Sequence, residues 1–97
     1  MRITHDMLVE LEACPRDLAI FDREWPKGAG ITRKNCLRAA ELGLGITWLA
    51  CEVLRGAARN DYFMAEGKAW KEYKAWKVYR KAMAIAFWRA ATDRRSK

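Results

Sequence analysis

A chain of 97 residues, 52% apolar and 32% charged, has room for one domain with a modest core and is too apolar for a disordered segment. Its net charge is +7. Residues 1–65 balance nine basic against nine acidic side chains, so the whole excess falls on residues 66–97, with ten basic against three acidic. The three cysteines, Cys14, Cys36 and Cys51, are odd in number and lack Cys-x-x-Cys spacing, which argues against a disulfide framework or a zinc site and for reduced, buried thiols.

No apolar run approaches the ~18 residues of a membrane span, and the N-terminus lacks a charged-then-apolar signal pattern. A cytoplasmic location is the expectation. Many alanines and few β-branched residues favour helix over strand.

In chain order, Thr4 is placed to cap a first helix carrying Met7, Leu8 and Leu11, with Asp6 and Glu10 suiting its dipole. Cys14-Pro15 breaks it, and Pro15 opens a second short helix presenting Leu18, Phe21 and Trp25. Residues Pro26 to Gly30 read as a loop. Thr32 caps a third helix with Cys36, Leu37, Ala40 and Leu42, ended by Gly43. Thr47 is expected to cap a fourth, with Leu49, Ala50, Val53 and Leu54 inward and Gly56 near its end.

Residues 57–95 contain no proline and one glycine, Gly67, and read as one long helix with Gly67 as its weakest point. Steps of three and four give the stripe Tyr62, Ala65, Ala69, Tyr73, Trp76, Arg80, Ala84, Phe87, Ala91. The expected fold is therefore all-α. A compact head of four short helices, residues 1–56, packs on a long basic helix, residues 57–97, within a single domain 1–97.

The segment from Cys14 to Ala50 carries a recognisable pattern: Cys14, Phe21 and Trp25, Pro26-x-Gly28, Thr32-x-x-Asn35, Gly43-Leu44 and Trp48-Leu49. It resembles the opening module of a group of uncharacterised small helical proteins encoded by phages and prophages. In that group the module precedes repeats of the type Lys-Ala-Tyr-Glu-Glu-Ala, and Lys71-Glu72-Tyr73-Lys74-Ala75 stands in the comparable place. The tail departs from the group's pattern, since Lys and Arg replace most of its glutamates. The resemblance implies phage origin and a non-catalytic accessory role.

From Ala69 the chain reads Ala-Trp-Lys, Glu-Tyr-Lys, Ala-Trp-Lys, Val-Tyr-Arg, with an aromatic followed by a cation in each triplet. A three-residue step advances 300° on a helix, so each row slips by about 60° per repeat. On a continuous helix Tyr73 and Trp76 would turn inward, Trp70 and Tyr79 would end on opposite sides, and Trp88 would stay partly exposed. The candidate binding residues are Lys68, Trp70, Lys71, Lys74, Lys77, Tyr79, Arg80, Lys81, Trp88 and Arg89, with Arg94, Arg95 and Lys97 extending the charge. Trp, Tyr and Arg dominate binding hot spots, whereas the plainer reading of the cations is a solvated face with stems lying over rings.

Ala39, Gly43, Leu44 and Leu49 match the small, turn and apolar positions of a helix-turn-helix. The outward candidates of its second helix, Gly45, Ile46, Thr47, Trp48, Ala50 and Cys51, offer almost no donors for base edges. Arg38 also falls where such a motif is apolar, so a plain helical hairpin is the better reading. No catalytic set stands out. His5 is the only histidine, nine residues from Cys14 with Pro15 following, and Gly28-Ala-Gly30 is too short for a phosphate loop.

The expectation is a non-enzymatic protein without cofactor or metal. It would bind a host protein or nucleoprotein complex with an acidic surface, as anti-CRISPR proteins block a defence complex. Non-specific nucleic-acid binding by the same basic helix is the alternative. A monomer or weak homodimer is expected, with no membrane role.

Overall fold

The computed structural model describes residues 2–73 and 75–92. Among these residues six helices and one two-stranded sheet follow in the order β1 (Arg2–Ile3), α1 (His5–Glu10), α2 (Pro15–Glu24), β2 (Ala29–Gly30), α3 (Arg33–Glu41), α4 (Ile46–Val53), α5 (Gly56–Glu72) and α6 (Trp76–Thr92). The architecture is mainly helical, as expected.

The early helices begin where their capping residues stand. Thr4 Oγ1 accepts from the Met7 amide at 3.2 Å, and Thr32 Oγ1 from the Asn35 amide at 3.1 Å. Pro15 occupies the first turn of α2. Residues 26–30 are more than a loop. After a turn at Gly28 (φ 90°), Ala29 and Gly30 pair antiparallel with Ile3 and Arg2. Asn35 ties this segment down, because its amide nitrogen donates to the Gly30 carbonyl while its Oδ1 accepts from the Trp25 indole. The Thr-x-x-Asn start of α3 thus serves both as a cap and as a clamp.

Gly43 sits at φ 81° and closes α3, with the Leu44 amide returning to the Ala39 carbonyl at 3.1 Å. An added Cβ there would meet only arginine tips at 3.6–3.7 Å. The cost of Gly43→Ala is therefore backbone strain, about 1–2 kcal/mol, and a urea melt followed by circular dichroism should register it. Thr47 does not cap α4. The cap is Gly45, and Thr47 is the second residue of the helix, where its hydroxyl is drawn to α5.

The long C-terminal helix is two helices. The chain runs helical through Gly67, leaves the helix at Tyr73 (φ −106°, ψ 117°) and resumes at Trp76. A continuous helix over 57–95 would span roughly 58 Å at 1.5 Å per residue. The longest extent of the described residues is 34 Å, so half the apolar stripe would have had nothing to lie against. Folding back lets both halves bury. Tyr62 and Ala69 on α5 face Ala84 and Phe87 on α6, and Tyr62 meets Phe87 edge-on at 6.5 Å between centroids. The other face of α6 packs on α3 and α4. Tyr73 and Trp76, expected inward, lie at the turn and are exposed.

The main core joins Cys36, Ala40, Ala50, Leu54, Tyr62, Met83, Ala84 and Phe87. A smaller one joins Ile3, Leu8, Phe21 and Ala29. Ala50 is fully buried, as expected for the inward face of the fourth helix and not as an outward residue of a helix-turn-helix. An apolar cavity of about 80 Å³ lies where the two cores meet, with Phe21, Trp25, Leu49 and Phe87 among its lining.

Candidate functional site

The α5–α6 turn gathers the aromatic and basic residues that alternate along the sequence. Trp76 is 62% exposed and Trp70 69%. Tyr79 holds them together: its ring stacks on Trp76 at 5.4 Å and 23°, and Trp70 meets its edge at 5.6 Å. On one straight helix Trp70 and Tyr79 would point apart. The turn brings them into contact, because position 70 on α5 faces position 79 on the returning α6. Burial raises the Tyr79 phenol above its usual range, and the Glu66 carboxylate adds to the effect.

Arg80 crosses over Trp76, with its guanidinium carbon 5.8 Å from the ring centroid, and reaches the Leu44 carbonyl at 3.4 Å. Gly43 is flanked by two guanidinium groups, since a Cβ there would lie 3.6 Å from Arg80 and 3.7 Å from Arg16. Both cations sit at the carbonyl end of α3, where the helix dipole favours positive charge. Beside them is a depression of about 310 Å³, formed by residues 43–47, Trp48, Trp76, Tyr79, Arg80 and Met83.

The structure divides the ten candidate binding residues. Trp70 and Lys71 lie in the last turn of α5, and Lys77, Tyr79, Arg80 and Lys81 in the first turns of α6. Lys68 is one turn back on α5, 4.0 Å from Glu72. Trp88 packs on the main core, and Arg89 follows it near the other end of α6, away from the aromatic cluster. Lys74, Arg94, Arg95 and Lys97 lie outside the described residues.

Neighbouring carboxylates are engaged elsewhere. Glu66 accepts from Thr47 at 3.0 Å, Asp17 faces Arg16 at 3.1 Å, and Glu41 accepts from Arg38 at 3.2 Å. Among the described residues Lys71, Lys77 and Lys81 are exposed and form no ion pair. The patch is thus positively charged and aromatic, and among the described residues only its Arg16 and Lys68 face carboxylates, Asp17 and Glu72.

Trp48, Trp76 and Arg16 were not among the sequence candidates. Trp48 had a signal, a tryptophan at an outward position of a short helix. Trp76 falls on the inward stripe only where the helix runs straight on past Tyr73. Arg16 had none, since only the tertiary fold brings it to Gly43.

Among the described residues no three His, Cys, Asp or Glu side chains could hold a metal ion, and no helix is long and apolar enough to cross a membrane. His5 faces Asp22 at 2.8 Å in an exposed pair. Cys14 is exposed and Cys36 buried. Burial pushes the Cys36 thiol from 9.0 up to about 11. In a thiol-labelling assay at pH 8, Cys14 should therefore react at once and Cys36 only on unfolding. Rapid labelling of Cys36 in the native protein would contradict its burial. No family model, curated protein or solved structure matches this chain.

Proposed function

We propose that this is a non-catalytic binding protein whose α5–α6 turn docks on an electronegative surface of a host protein or nucleoprotein complex and thereby inhibits or redirects it. The observation that carries this reading is the exposure of Trp70 and Trp76 on a charged rim, at 69% and 62%. A chain of this size gains stability by burying tryptophan, so two exposed rings held in an ordered stack favour a partner surface. Unpaired cations around large aromatics supply steering and hot-spot contacts together. The resemblance of residues 14–50 to phage-encoded proteins favours a host target, and an anti-defence role of the anti-CRISPR kind is its most concrete form.

The test compares tagged wild type with the variant Lys71→Glu/Lys77→Glu/Lys81→Glu in affinity purification from bacterial cells. These three lysines are exposed, so the variant should fold, checked by circular dichroism. Wild type should retain a partner complex and the variant should lose at least tenfold of it. Trp70→Ala/Trp76→Ala should lose the same partner. Equal recovery with the folded glutamate variant would remove this surface from the function.

A further inference from the structure

We propose that the depression between the α3–α4 turn and the start of α6 binds one nucleotide unit of a single-stranded nucleic acid, base against Trp76 and Trp48, phosphate on Arg80. This rests on the reading of the turn as the docking surface, and it names the chemistry which that surface meets.

The depression has a volume of about 310 Å³, at the lower end of the range for small-ligand sites, about 300–1,000 Å³. Trp48 enters it from α4, and Trp76, Tyr79 and Arg80 from α6. Tyr79 stacks on Trp76 and fixes the indole, and Arg80 lies over the same ring at 5.8 Å, so a base adds to the pile as the guanidinium swings from the ring to the phosphate. Base–aromatic stacking of this type tolerates any sequence, because every base has a π-face. Trp48 is 36% exposed, so a second ring is available to the same ligand.

The cations are arranged for a strand rather than for a single anion. Arg80 flanks Gly43 on one side, with Arg16 beside it facing Asp17 at 3.1 Å. On the other, Trp76 also borders a second depression with Lys77, Arg80 and Lys81. Positive charge therefore continues past the ring in the way a backbone of successive phosphates requires. A duplex keeps its base faces covered and would meet only the cations. An acidic protein surface would have to supply a matching apolar pocket for the rings, whereas every base of a single strand carries a face that stacks on them.

The experiment titrates wild type with a twelve-residue oligothymidylate, following tryptophan fluorescence at 50 and 200 mM salt, with a duplex of equal length and free thymidine monophosphate as further arms. The single strand should quench the fluorescence and bind at least tenfold more tightly than the duplex. With about four phosphate contacts, its affinity should fall about 50-fold between the two salts. Trp76→Ala should weaken it by tenfold or more at either salt, and Lys77→Gln/Lys81→Gln should flatten the salt dependence.

Free nucleotide binding as tightly as the strand would overturn the assignment to a strand. So would equal affinity for duplex with no effect of Trp76→Ala, which reports cations alone. No oligonucleotide binding, with partner capture still lost in the lysine-to-glutamate variant, would overturn the nucleotide site and leave a protein-docking surface. Retained capture in that variant overturns the docking surface itself.

Discussion

Replacing Phe87 with Ala should cost about 3–5 kcal/mol of stability, the range for truncating a large aromatic in a core. A domain of this kind has only about 5–15 kcal/mol in total, so the variant should lose about a fifth of its stability or more. The side chain is 1% exposed and meets Tyr62 edge-on. It also lines the 80 Å³ cavity between the two cores. Truncation would merge its own void with that one, and the residual cavity volume sets the cost. Urea unfolding monitored by circular dichroism measures it. A loss under 1 kcal/mol would mean that α6 does not lie against α3 and α5 as described.

Thr47→Val should cost about 1–3 kcal/mol, although the two side chains are nearly the same size. The Tyr62 ring is wholly buried, and its hydroxyl stands 2.8 Å from Thr47 Oγ1. Thr47 donates in turn to Glu66 at 3.0 Å, which makes Tyr62 the donor to Thr47. Valine would leave the phenol with a donor and no acceptor in an apolar setting. Burial already pushes the Tyr62 phenol well above its ordinary range, so it cannot escape by ionising. The partner variant Tyr62→Phe removes the stranded group, and the double variant should be less destabilised than the sum of the singles. Additive losses in that cycle would show that the two hydroxyls do not interact.

Much of the head was legible in residue order. Thr4, Pro15, Thr32 and Gly43 act within one helical turn of themselves, and each stands where a sequence pattern puts it. Thr47 failed as a cap because a buried phenol 15 residues away offered its hydroxyl a stronger claim than the local amides. The β1–β2 pairing was invisible because two-residue strands carry no periodicity, and their register comes from Gly28 and Asn35 acting across the chain. The basic and aromatic character of the candidate site could be read from the triplets after Ala69. Its geometry could not, because the contacts between Trp70 and Tyr79 depend on a reversal of the helix between them.

Composition and spacing by themselves determined that the chain is helical, that its excess charge lies in the last third, and that rings alternate there with cations. These are local properties, set by backbone propensity and by the order of side chains. Only the tertiary structure decided that the last third folds back on itself, which rings face solvent, and that Arg16 and Trp48 join them. No glycine or proline marks the break near Tyr73, so local preference permits a straight helix. The apolar area buried when α6 returns against α3 and α5 outweighs the few helical hydrogen bonds given up at the turn.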